Sequence, residues 1–249
     1  MADQVHLTIS RYSPDKDGEL KPQRFSIPYH SDWSILDAMN YIKSEVDGSL
    51  SFRWSCRMAV CGSCGTMVNG TPRLTCSTYL SEFFPGEITI EPLENFPVIR
   101  DLVVDINDFM QKLTSVKPWI IRRNPKDEDN LSEEYLQTPA QMDWYRQQSL
   151  CINCTLCYAA CPVYGLHPEF LGPAVIALAY RYNMDSRDEG TDARRAVLAS
   201  EDGVWKCTVV GDCTEVCPKH VDPSAAIQRV KVDSAINWFT SFVTGGGSK

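Results

Sequence analysis

The cysteines constrain this chain more than any other feature: eleven of them fall into groups of four, four and three, with none left over. Cys56, Cys61, Cys64 and Cys76 follow C-x4-C-x2-C-x11-C, the plant-type spacing for a [2Fe–2S] centre. Cys151, Cys154, Cys157 and Cys161 follow C-x2-C-x2-C-x3-C and lead into Pro162, the bacterial run for [4Fe–4S] centres. Cys207, Cys213 and Cys217, the last followed by Pro218, repeat that frame with Val210 at the second ligand position.

Where two such runs share a domain, the fourth cysteine of each ligates the other run's centre. Crossing them assigns Cys151, Cys154, Cys157 and Cys217 to one site, enough for [4Fe–4S]. The other site keeps Cys161, Cys207 and Cys213, with the aliphatic Val210 where a fourth thiolate belongs; that set fits a [3Fe–4S] centre lacking one iron corner. The residues therefore predict three redox centres in one chain.

Disulfides do not fit. The N-terminus MADQVHLTIS has no apolar signal core, and an odd number of cysteines cannot pair completely within one chain. A net charge of −8 argues against a nucleic-acid partner, which favours a basic face. No stretch reaches the roughly 20 apolar residues that span a bilayer, so membrane association must come through a partner. Zinc would leave the run at 151–157 over-supplied with thiols and would need three four-ligand sites from eleven cysteines. A Rieske centre needs two histidines, and His6, His30, His167 and His220 stand in no such pattern. No nucleophile–base pair and no flavin or nicotinamide fingerprint is present, so no catalytic residue is assigned and substrate chemistry is expected on another subunit. Gly62 and Gly65 belong to the first cysteine loop, not to a phosphate-binding turn.

The periodicity predicts an α+β chain. Val5, Leu7 and Ile9, then Phe25, Ile27 and Tyr29, alternate as half-buried strands, with turn chemistry at Asp15 to Gly18. A helix from Asp32 or Ser34 carries Ile35, Leu36, Met39, Ile42 and Val46 on one face and ends at Gly48. Asn69-Gly70 marks a hairpin, and Ile88 to Pro92 a last short strand. These elements suggest a β-grasp [2Fe–2S] domain over 1–106. Residues 107–140 are expected to connect, with a helical pattern over 101–113 and a charged linker from Asn124 to Ser132. An all-α ferredoxin-like domain with two centres is predicted over 141–243, with helices opening at Pro173 and at Asp222-Pro223; the latter runs through Ile227, Val230, Ile236 and Phe239. Residues 244–249 read as a flexible tail.

Ser55, Ser63 and the N–H groups of the first loop can hydrogen-bond cluster sulfur and raise its potential above the roughly −400 mV of plant-type centres. Arg53 and Arg57 either stabilise the reduced form in the same way or serve solvent and partner contacts.

The segments SFRWSCRMAVCGSCG, NFPVIRDLVVD, QTPAQM, CINCTLCYAACPVYG, DSRD and VCPKHVDP resemble the iron–sulfur subunit of the fumarate reductase and succinate dehydrogenase family, from Val5 to Asn237. The resemblance implies a FAD-containing flavoprotein partner that interconverts succinate and fumarate. It also implies one or more membrane-anchor subunits, with or without haem, and a quinone site near the [3Fe–4S] centre. Electrons would run between FAD and quinone through the [2Fe–2S], [4Fe–4S] and [3Fe–4S] centres in that order, at the cytoplasmic face of a bacterial membrane. In the ubiquinone-using succinate dehydrogenase branch a Trp follows the cysteine aligned with Cys161, and a His the one aligned with Cys207; the aligned positions here are Leu166 and Thr208. The run from Cys207 to Gly211, with Gln228 and Lys231 on the last helix, is more similar to the fumarate-reductase branch. There the equivalent Gln and Lys touch a menaquinone, while the plainer role for Lys231 is an anchor-facing or headgroup contact. A similar subunit of another flavoprotein dehydrogenase, and a zinc-binding interaction module, are the alternatives.

Overall fold

The computed structural model describes residues 3–15, 18–123 and 134–243. The middle of the predicted turn at Asp15 to Gly18, the predicted linker Asn124 to Ser132 and the tail 244–249 lie outside the described residues. The chain divides into two compact units: Met1–Asn107 with Ile152–Ala160, and Asp108–Cys151 with Cys161–Lys249.

In the first unit, β1 (Gln4–Arg11) turns Val5, Leu7 and Ile9 inward, and β2 (Lys21–Pro28) does the same with Phe25 and Ile27. The helix α1 (Ile35–Tyr41) starts where Ser34 and Asp37 form a reciprocal capping box, and it buries Ile35, Leu36, Ala38 and Met39. The helix leaves through a π-turn over Ile42–Val46 and stops at Asp47, which is extended. The end is thus made without a left-handed Gly48, and Val46 is 55% exposed, unlike the expectation for both. A π-turn rotates each residue by less than the α-helical 100°, so Val46 falls off the buried stripe. β3 (Gly65–Val68) and β4 (Thr71–Leu74) close through Asn69 and Gly70, whose φ values of 46° and 75° are those of a type I′ hairpin. With β5 (Ile88–Glu91) the five strands take the order β2-β1-β5-β3-β4; β1 and β5 are parallel and the other pairs antiparallel.

Residues 101–106 are not helical. Asp101 is left-handed at φ 46°, and Val103–Val104 pair with Val98–Arg100 as a small ribbon before α2 begins at Asn107 (Asn107–Ser115). Asp101 has its own task. Its carboxylate accepts the N–H groups of Tyr12 and Ser51 at 3.0 and 2.8 Å and the Nε–H of Arg11 at 3.0 Å. Arg11 also reaches Asp47 at 2.7 Å and Ser49 at 2.8 Å, so one ion-pair network ties the end of β1 to the segment that enters the first cysteine loop.

Residues 152–160, expected inside the 141–243 domain, count with the first unit. Their apolar side chains and carbonyls explain why. Leu156 and Tyr158 are fully buried, Tyr158 meets Phe96 with ring centroids 6.2 Å apart, and the Asn95 amide donates to the carbonyls of Tyr158 and Ala159 at 2.9 and 3.0 Å.

Among the described residues, every regular element of the second unit is helical. One helix, Pro173–Asn183, is buried nearly all round, from Pro173 to Ala177 and at Ala179 and Tyr180. It packs with the last helix, Pro223–Val243, and Arg229 donates to the Tyr180 hydroxyl at 3.1 Å. Asp222 caps that last helix by accepting the Ala225 N–H at 2.8 Å, ahead of Pro223. The helix runs through all four expected residues; Ile227 and Val230 are buried, whereas Ile236 and Phe239 are exposed at 56% and 61%. The Ile236 and Phe239 side chains are thus left largely open to solvent.

The segment DSRD anchors this unit. Arg194 is fully buried and grips both oxygens of Asp188 at 2.7 and 2.9 Å; its remaining N–H groups reach the carbonyls of Val116, Lys117 and Trp119 and the Asn183 amide oxygen. Asp188 is satisfied in turn by the N–H groups of Gly190 and Ile121. Breaking a buried pair strands a charge. Asp188→Ala is therefore expected to cost about 3–5 kcal/mol, read as a lower denaturant midpoint. Asp192→Ala, which removes the exposed pair with Arg195, is expected to cost about 1 kcal/mol or less in the same assay.

Candidate metal centres

The first cysteine loop is a backbone cage for sulfur. Arg57, Ala59 and Gly62 are all left-handed, at φ 57°, 54° and 73°. Left-handed residues interleaved in a loop turn successive N–H groups toward one concave side, a geometry that attracts anions. Here those groups converge on sulfur. Met58, Val60 and Cys61 donate to the Cys56 Sγ at 3.4, 3.3 and 3.3 Å; Ala59 donates to Cys76 Sγ at 3.3 Å, and Cys56 to Cys61 Sγ at 3.5 Å. The Ser63 hydroxyl adds a bond to Cys61 Sγ at 3.2 Å, as the sequence suggests, while Ser55 makes none to sulfur. Arg57 instead stacks on Trp54, 4.4 Å from the ring centroid, which is the surface role.

The thiols respond to these surroundings. The Cys56 N–H, with the Ser63 hydroxyl and N–H, pulls the Cys61 thiol down to about 6. Burial, helped by the neighbouring Cys64 thiol, pushes Cys76 up to about 11. Bound metal charge reverses such a penalty and deprotonates a coordinating thiol outright. Four thiols in one loop system, one already acidic and two buried, thus suit an iron–sulfur group.

The two later frames share a backbone device that their sequences only half disclose. Asn153 and Thr155 are left-handed at φ 54° and 60°; at the matching positions, Val209 and Gly211 are left-handed at φ 64° and 100°. A short helix follows in each, Leu156–Ala159 and Asp212–Glu215, and each frame ends in Cys-Pro. A β-branched residue with positive φ is a true outlier. Val209 accepts that strain at the place where its N–H reaches Cys207 Sγ at 3.4 Å. Val210 therefore occupies in the second frame the place of Cys154 in the first.

Cys161, Cys207 and Cys213 line one pocket in the second unit together with Thr208 and Val210. Burial pushes the Cys213 thiol up to about 12, reinforced by the charges of Cys161 and Cys207, and burial raises Cys161 as well. Cys161 and Cys213 resist ionising in this pocket, a penalty that cationic metal reverses, and with Cys207 beside them the residue set fits an iron–sulfur group. The cysteines expected at the four-thiolate site are divided between the units. Cys154 and Cys157 lie in the first; Cys151, after the 3-10 turn Gln148–Leu150, and Cys217, after Asp212–Glu215, lie in the second. Among the described residues, no three Cys, His, Asp or Glu side chains gather on a position for a single metal ion.

The quinone candidates separate. Thr208 is exposed and lines the pocket of Cys161, Cys207 and Cys213. Lys231 and Gln228 do not line it. Lys231 donates to the Cys207 carbonyl at 2.7 Å, which holds the ligand loop to the last helix. The Gln228 amide nitrogen is buried with no partner among the described residues. Around the pocket, Trp205, Val209 and Val210 are about half exposed. No helix of the described residues is long and apolar enough to cross a membrane.

Residues 6–111 match the 2Fe-2S iron-sulfur cluster binding domain family, and residues 147–221 the 4Fe-4S dicluster domain family. The chain is 54% identical to the fumarate reductase iron-sulfur subunit of Mycobacterium tuberculosis, over 99% of this chain and all of that one. It is 50% identical to the subunit of the same name from Haemophilus influenzae, over 98% of both chains. A mitochondrial succinate dehydrogenase iron-sulfur subunit of Arabidopsis thaliana is 38% identical over 90% of this chain and 72% of its own length. Among solved structures, a chain of the Mycobacterium smegmatis Sdh1 complex superimposes with a TM-score of 0.83 at 26% identity, covering 96% of this chain and 98% of that one. With its cysteine frames, its loop geometry and this degree of identity, the chain belongs to the family of fumarate reductase iron–sulfur subunits.

Proposed function

We propose that this chain carries electrons between a FAD-containing flavoprotein subunit and a quinone held at one or more membrane-anchor subunits, in a complex that interconverts succinate and fumarate. The proposed ligand sets are Cys56, Cys61, Cys64 and Cys76 for [2Fe–2S]; Cys151, Cys154, Cys157 and Cys217 for [4Fe–4S]; and Cys161, Cys207 and Cys213 for [3Fe–4S]. The first set sits in the β-grasp unit, the third in the helical unit, and the second draws Cys154 and Cys157 from the former and Cys151 and Cys217 from the latter. The complex lies on the cytoplasmic face of a bacterial membrane, and its quinone is a menaquinone. Dicarboxylate chemistry belongs to the flavoprotein.

The observation that carries this reading is the paired backbone frame in which Val210 stands at the position of Cys154. A repeated cage with one thiol replaced by an aliphatic side chain is what a three-thiolate centre requires. The centres supply one-electron transfer. The chain's own residues hold them and set their surroundings: Ser63 and the N–H groups of residues 56, 58, 59, 60 and 61 favour added negative charge at the first site. Lys231 braces Cys207 at the third. A partner of apolar chemistry fits Trp205, Val209 and Val210 and, on the last helix, Val232, Ile236 and Phe239, all well exposed. A membrane anchor supplies such a face, and a quinone near Thr208 would then be enclosed.

Purification of the complex from membranes is expected to yield a flavin-bearing and a hydrophobic subunit with this chain. About nine iron atoms per chain would follow from the three cluster types, and assays should detect both succinate oxidation and fumarate reduction, with preference for menaquinone analogues over ubiquinone analogues. A zinc-only, colourless chain would reject the reading. Val210→Cys supplies the missing thiol. It is expected to convert the third centre toward [4Fe–4S], to remove the electron-spin signal of the oxidised three-iron form and to lower the midpoint potential; an unchanged signal and potential would reject the third ligand set.

A further inference from the structure

Within the first unit, two cysteine stretches meet backbone to backbone. Gly62, between Cys61 and Cys64, has φ +73°, and a Cβ placed there would lie 2.9 Å from the Cα and the Cβ of Cys154 and 2.9 Å from the carbonyl oxygen of Ile152. Side chains essentially never approach so closely, so only glycine permits this contact. Cys154 is pushed forward as a knuckle, because its neighbours Asn153 and Thr155 are both left-handed. Gly65, three residues on, differs. Its Cβ would meet the Leu156 Cδ2 at 2.9 Å, the end of a flexible side chain, and only the Cys154 carbonyl oxygen at 3.4 Å.

We propose that Gly62 is a positioning residue for electron transfer, letting an electron cross from the Cys61 side of the first centre to Cys154 of the second through one van der Waals contact. This rests on the ligand sets proposed above. With both centres bound, one electron would pass from the first, oxidised by one unit, to the second, reduced by one, with no bond formed or broken and no proton moved. Tunnelling decays exponentially with distance and more steeply across a gap than along bonded atoms. The route through Gly62 keeps the gap to a single atomic contact: Cys61 Sγ, its Cβ and Cα, the peptide to Gly62, then Cys154 and its own Sγ. A methyl group at position 62 must displace Cys154 or the first loop, and either movement opens that gap.

The experiment uses the whole purified complex carrying Gly62→Ala, Gly62→Asn or Gly65→Ala. Asn tolerates the left-handed backbone better than Ala while still bearing a Cβ, so it separates backbone strain from the lost approach. Three readouts are taken: the rate at which the second centre becomes reduced after rapid reduction of the first, the midpoint potential of each centre, and the magnetic interaction between the two reduced centres. Both Gly62 variants are expected to slow the transfer and weaken the magnetic interaction while each centre keeps its native potential, and Gly65→Ala is expected to match the wild type. Native rate and native interaction in an iron-loaded Gly62 variant overturn the proposal, as does equal slowing by Gly65→Ala. Absence of magnetic interaction between the reduced first and second centres of the wild type overturns it without any variant. Missing iron or a wrong cluster type in the wild type refutes the ligand sets instead, so the two failures are told apart.

Discussion

Packing several thiolates into a small volume is electrostatically costly, and the structure answers that cost with aimed backbone N–H groups before any metal is counted. In the first loop the donors of residues 56, 58, 59, 60 and 61 point at cysteine sulfur. This convergence needs positive φ at Arg57 and Ala59, residues with no intrinsic liking for it. Such backbone strain persists only where its surroundings over-determine it. Around the first loop they do: the sheet fixes Gly65 and everything after it, and the Arg11–Asp101–Ser51 network fixes the approach. The fold is in this sense a frame for strained loops.

The same consideration explains what could be read from the sequence. Cysteine spacing is a direct imprint of cluster chemistry, so the three groups stand out without any structure. Hairpin and capping signals are local in the same way: Asn69-Gly70 adopts its type I′ turn, and Ser34 and Asp222 cap their helices. Non-local partnerships leave no periodic trace. Nothing in DLVVDINDFMQKL announces that Asp101 is claimed by Arg11, ninety positions earlier, and by Tyr12 and Ser51, so its helical pattern overstates the helix by six residues. The burial of Arg194 against Asp188 is equally silent, because a charge in a helical pattern reads as a solvated face until its partner is known.

Two further departures share a cause. Residues 152–160 carry the spacing of one cysteine run, which suggests one domain, yet Leu156 and Tyr158 bury with the first unit. Ile236 and Phe239 keep the helical spacing of a buried stripe, yet are exposed. Periodicity reports that a face will be covered, not by what. Ile227, early in the same helix, is buried and lines the pocket of Cys161, Cys207 and Cys213, whereas Ile236 and Phe239 beyond it are left exposed.

Val210 shows how little sequence change is needed to alter what such a frame can bind. Val209 and Gly211 hold the same left-handed pattern as Asn153 and Thr155, so the backbone still presents position 210 as it presents Cys154. Had the missing thiol merely decayed from an unused site, nothing would sustain a β-branched residue at φ 64°; relaxation of the loop would recover the strain, on the order of 1–3 kcal/mol for a sparsely populated backbone region. The strained cage is kept, and Cys161, Cys207 and Cys213 still line it. A kept cage with one side chain changed separates two properties that usually move together: the backbone geometry, which position 210 shares with Cys154, and the thiol, which position 210 no longer offers.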